Sequence, residues 1–125
     1  MVVATSDPLP PSQTGCVTAT TPLLVADTIS AAQSLASYCA KLGPVTEWTK
    51  LSWVHNRSRV YMCNYNWWRW DSCGYDEIWA AWLAIQERCG LATGGWIFYP
   101  EWDRTKIGGK TIGFDDKANK WCSNL

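Results

Sequence analysis

The chain has one histidine, no net charge and no long apolar run, and each shortage closes off a class of function. A single imidazole, His55, leaves almost no material for a Ser-His-Asp triad or a multi-histidine metal site; in a polar loop it reads as a solvated side chain. Eleven basic residues balance eleven acidic ones over 125 positions. That balance lacks the electrostatic footprint of a general nucleic-acid binder or a polybasic membrane ligand. The longest apolar stretch, Ile78 to Ile85, falls far short of the roughly 20 residues that a membrane span needs. Close cysteine pairs of the Cys-x-x-Cys kind are missing, the nearest spacing being Cys63 to Cys73, so structural zinc is not expected. There is neither a glycine-rich phosphate loop nor a nucleophile elbow. No catalytic set, cofactor or metal is expected.

What the chain does have is six cysteines and ten tryptophans. An even set spread as Cys16, Cys39, Cys63, Cys73, Cys89 and Cys122 has structural use only in an oxidising compartment, which predicts a secreted, extracellular, disulfide-stapled domain. A chain this long buries roughly two thirds of its unfolded surface, so bridges worth about 2–4 kcal/mol each supplement a real core. Met1-Val2-Val3-Ala4 lacks the basic start and apolar segment of a signal peptide, so secretion implies that Met1 heads a mature chain. Residues 1–14, with Pro8, Pro10 and Pro11, read as a flexible tail, and 15–125 as one domain.

Periodicity supplies the elements. Gly15 to Thr20 has the β-branched content of a short strand. Val25, Ile29, Ala32, Ala36 and Cys39 fall on one helical face, predicting a helix from Val25 to Leu42 stopped by Gly43-Pro44. Val45–Val54 and Arg59–Tyr65 read as two antiparallel strands around a His55–Ser58 loop. Asp71 or Ser72 can cap a second helix whose face is Ile78, Trp82, Ile85 and Cys89, with Trp79 beside it. Gly95–Tyr99 and the weaker Lys110–Phe114 complete the strands. The order predicts an α+β fold, a split β-α-β-β-α-β sandwich whose antiparallel sheet carries both helices on one face.

Right-handed crossovers make the helices antiparallel, so Cys39 and Cys89 should lie at opposite ends and not bond each other. Cys16, Cys39, Cys63 and Cys73 would share one end, which leaves Cys89 for Cys122 if the last strand carries the chain back. Among the other four, Cys16–Cys39 and Cys63–Cys73 close the shortest loops, but sequence cannot choose among the pairings.

A cysteine in the first helix, the strand end Tyr61-Met62-Cys63-Asn64-Tyr65, and the segment from Cys73-Gly74-Tyr75-Asp76-Glu77-Ile78 to Cys89-Gly90 form an ordered series. It continues through Gly94-Gly95 and Gly109-Lys110-Thr111-Ile112-Gly113. From Cys16 to Cys122 this series resembles small secreted fungal proteins, namely the fungal necrosis-inducing effector family and the related smut-fungus killer toxins. The resemblance implies an α/β sandwich, secretion, no cofactor, and a role in toxicity or host interaction. The tryptophan load departs from those families.

Tyr65-Asn66-Trp67-Trp68-Arg69-Trp70 is the leading binding candidate, because adjacent indoles among polar residues cannot all point into one core. Flat aromatic faces beside Asn, Asp and Arg suit a protein interface or sugar rings. The other reading is a satellite core around Cys63 and Cys73. Trp79, Trp82, Trp96 and Trp121 read as core; Trp48 and Trp53, an odd number of residues apart, should face opposite sides of the sheet. Glu101-Trp102-Asp103 resembles the lining of a sugar cleft, with a solvated loop as the alternative; Trp102 joins the candidate binding residues. Asn56-Arg57-Ser58 is an N-glycosylation sequon in the expected hairpin loop.

Three functions follow. The first is a secreted effector or toxin that binds a host or competitor protein. A cell-wall glycan-binding module is the second, and a small glycan hydrolase using Glu101 and Asp103 the third.

Overall fold

The computed structural model describes residues 13–17, 22–42, 45–66, 71–100 and 109–122. Seven elements follow in order: β1 (Gln13–Cys16), α1 (Val25–Leu42), β2 (Thr49–His55), β3 (Ser58–Asn64), α2 (Tyr75–Cys89), β4 (Gly95–Pro100) and β5 (Gly109–Asp116). The fold is α+β, with a five-stranded antiparallel sheet in the order β1-β4-β5-β3-β2. The last strand, the weakest on sequence, is the central one. It sits between β4 and β3, where it is buried almost throughout.

Both helices lie on one face and touch each other, α1 over β2 and β3, α2 over β1, β4 and β5. Strand alternation selects what they cover: Val60 and Met62 from β3, Ile97 from β4, and Ile112 and Phe114 from β5. Against these α2 sets Ile78, Ala81, Trp82 and Ile85, with the Trp82 ring 5.1 Å from Phe114. The buried stripe of α1 keeps Ala32, Ala36 and Cys39 of the expected face and widens to Thr28, Ala31 and Leu35, while Val25 is exposed and Ile29 half-buried. Thr28 is accommodated because its hydroxyl lies 3.0 Å from both Leu24 O and Ser58 Oγ.

Three local expectations are corrected. β1 spans Gln13–Cys16, opening two residues before the strand expected at Gly15–Thr20. Residues 46–49 form a turn with Trp48 at φ 54°, so β2 begins only at Thr49 and Val45 makes an isolated bridge to Asp71. Neither Asp71 nor Ser72 caps α2. Gly74 occupies that position, and its N–H donates to the Glu77 carboxylate at 2.9 Å.

The disulfides are Cys16–Cys89, Cys39–Cys73 and Cys63–Cys122, which overturns Cys89–Cys122, Cys16–Cys39 and Cys63–Cys73. Cys39 and Cys89 do sit at opposite ends, as antiparallel helices require. The error lay in the sheet: Cys63 alternates with Met62 and faces away from the helices, out of reach of Cys73. Cys16 pairs in register with Gly95, beside the end of α2 and Cys89.

The helix-free face is crossed by residues 117–122. Cys122 is bonded to Cys63, Asn119 donates to Asp115 at 2.9 Å, and the Trp121 ring lies 5.5 Å from Tyr61. Lys50 and Arg59 approach the same indole at 4.5 and 4.8 Å. Trp121 is thus part of a cover rather than of the core. Tyr61 fits because its neighbour Gly113 has no side chain; a Cβ there would overlap the phenol ring.

Candidate functional site

The sheet end where β3 finishes and β5 begins holds a polar network. Asn64 and Asn66 are fully buried. Asn64 donates to Val45 O and Thr46 O at 3.1 and 3.2 Å, and its carbonyl accepts the Asn66 N–H at 2.9 Å. The Asn66 amide donates to Asp71 at 3.2 Å, and its carbonyl accepts the Gly109 N–H at 2.9 Å. Backbone bonds close the frame between Tyr65 and Gly109, Trp48 and Asn66, and Val45 and Asp71. Four stretches of chain are thereby held together by groups that would be costly to leave unpaired.

Lys110 occupies the helix side of β5, two residues before Ile112, which places its ammonium at the start of α2. It donates to Asp71 Oδ1 at 3.1 Å, to Ser72 O at 3.0 Å and to Glu77. Burial works to raise the Glu77 carboxyl, but hydrogen bonds from Lys110 and Ser72, the Lys110 charge and the Gly74 N–H together hold it below the usual carboxylate range. Tyr99 is pushed up, by burial first and then by the Glu77 charge. Tyr65 is raised by burial, partly opposed by Thr111.

Of the sequence candidates, Tyr65 and Asn66 lie within the described residues; Trp67, Trp68, Arg69, Trp70, Glu101, Trp102 and Asp103 lie outside them. Tyr65 is half-buried between Trp48 and Phe98, at 6.1 and 6.3 Å. Asn66 is spent on Asp71 and Gly109, so it positions chain rather than meeting a ligand. Asn66 and Asp71, on either side of 67–70, both belong to this network, as does Gly109, which opens β5 six residues after Asp103. Cys39–Cys73 and Cys63–Cys122 staple the same end. Lys110 went unnoticed in the sequence, although strand alternation placed it on the helix face.

At the other end of the sheet, His55 closes β2, half-exposed, with Nε2 3.8 Å from Asp27. The sequon occupies a two-residue turn, with the Asn56 amide donating to Asp27 at 2.9 Å and the Ser58 hydroxyl buried. Among the described residues no group of His, Cys, Asp or Glu is arranged to hold a metal ion, and no helix is long and apolar enough to cross a membrane. The chain matches no family model, no curated protein and no solved structure.

Proposed function

We propose that this is a secreted effector or killer-toxin-like protein that acts by binding a host or competitor target, and that Trp67, Trp68, Arg69 and Trp70, with Tyr65 beside them, carry the binding. The observation that supports this reading most is the Asn64–Asn66–Asp71–Gly109 frame. It fixes the residues on either side of a segment holding three indoles and a guanidinium, the side chains that concentrate in binding hot spots. Segments held at both ends lose less entropy on binding. Three disulfides in a small α+β domain fit an oxidising environment.

The test is a Trp68→Ala/Trp70→Ala double variant, with labelled protein bound to intact plant and competitor fungal cells. Binding by the parent and loss in the double variant, with the melting temperature lowered only a few degrees (about 1 kcal/mol or less), supports the proposal. An unfolded double variant makes the segment core, and a folded, fully binding one moves the site to Glu101-Trp102-Asp103.

A further inference from the structure

We propose that the open groove between α1 and the edge strand β2 is a second binding site, for a short chain of β-linked, gluco-configured sugars. It does not depend on the function proposed for residues 67–70. The groove encloses about 550 Å³, within the range of small-ligand sites. One wall is the face of α1 turned from the core, where Ser30, Gln33, Ser34 and Ser37 recur at helical spacing. The other wall is aromatic. Trp53 from β2 and Tyr38 from α1 stand 5.9 Å apart at 50°, and they are 40% and 37% exposed, unlike the core ring of Trp82.

This combination selects a ligand by its chemistry. A pyranose presents apolar C–H faces, suited to an indole, and a rim of hydroxyls that both donate and accept, as serine hydroxyls and a glutamine amide do. An apolar partner would strand those serine hydroxyls. An extended peptide pairing with β2 would want pockets for alternate side chains, where this groove offers serines. Equatorial substituents leave both faces of a gluco-configured ring flat enough to stack. From Ser30 to Ser37 the helix rises about 10 Å, the length of a short oligosaccharide. Lys41 and His55 also line the groove and add hydrogen-bonding groups, and among the described residues no carboxylate lines it.

The experiment is an amide and indole NMR titration of the whole disulfide-bonded chain with chitotetraose and with laminaritetraose. Saturable shifts are expected at the Trp53 indole and the Ser34 and Ser37 amides for at least one sugar, with a Kd of about 1 mM or tighter. Trp53→Ala should weaken binding about tenfold or more. Ser37→Arg, at an exposed helical position that arginine tolerates, should fill the groove and block it. No saturable shift with either sugar, or shifts that persist in both variants, overturns the proposal. Retained sugar binding in the Trp68→Ala/Trp70→Ala protein supports it; loss there places the sugar on residues 67–70 and overturns it.

Discussion

The side-chain carbonyl of Asn66 accepts the backbone N–H of Gly109 at 2.9 Å, joining positions 43 apart in the sequence. The contact ties the residue that precedes 67–70 to the first residue of β5. It also makes Asn66 a sensitive place to cut the network.

Asn66→Ala leaves the Gly109 N–H and an Asp71 oxygen without these partners in a buried setting. A loss of about 2–3 kcal/mol is expected, read as a lower denaturant midpoint with an unchanged slope. A change below about 0.5 kcal/mol would mean that water replaces the side chain without cost.

Glu77 has a depressed carboxyl, so its stabilising effect is complete above the ordinary carboxylate pKa of about 4.3 and is lost as pH falls through the lower folded value. Lys110→Met removes the opposing charge and leaves burial to raise Glu77. The parent should therefore lose stability on acidification below about pH 4.5, while the variant, weaker at neutral pH, should recover relative to it between about pH 6 and 4. Parallel acid profiles for the two would rule out the coupling.

Peptide mapping of the unreduced protein should return Cys16–Cys89, Cys39–Cys73 and Cys63–Cys122. Replacing Cys63 and Cys122 by Ser should cost about 2–4 kcal/mol. It should also loosen the cover over Tyr61, whose phenol is held above its usual range by burial first, then by Asp115 and Tyr65. An ultraviolet titration should then show one tyrosine ionising at lower pH than in the parent; an unchanged titration would mean that residues 117–122 stay in place without the bridge.

Two glycines separate fixed from movable rings. Gly113→Ala forces its methyl into the buried Tyr61 ring and should cost about 1–3 kcal/mol. Gly15→Ala meets Trp96, which is 36% exposed and has room to swing out, so thermal unfolding should register a smaller loss. Equal losses would show Trp96 to be as fixed as Tyr61.

Helices and strands were legible because their apolar residues repeat at 3.6 and 2, as Ile78, Trp82 and Ile85 do in α2 and Val60 and Met62 in β3. The disulfide pairing was not, because it depends on which face of the sheet Cys63 occupies and on β5 inserting between β4 and β3. The frame of Asn64, Asn66, Asp71 and Lys110 escaped notice for a similar reason. Each is an ordinary polar residue with partners up to 43 positions away, and strand register brings the distant ones together. Composition alone singles out residues 65–70 and 101–103; that Asn66 and Asp71 on either side of 67–70 are joined in one network is a structural finding.

The bridges interleave along the chain. Every peptide bond from Cys16 to Cys122 is enclosed by at least one of the loops 16–89, 39–73 and 63–122, and the stretch from 63 to 73 by all three. A single proteolytic cut in that interval, including within 67–70, yields two fragments that remain covalently joined until they are reduced. Cleavage at the candidate binding segment would therefore leave the parts of this protein together, and the nick would be visible only on a reducing gel.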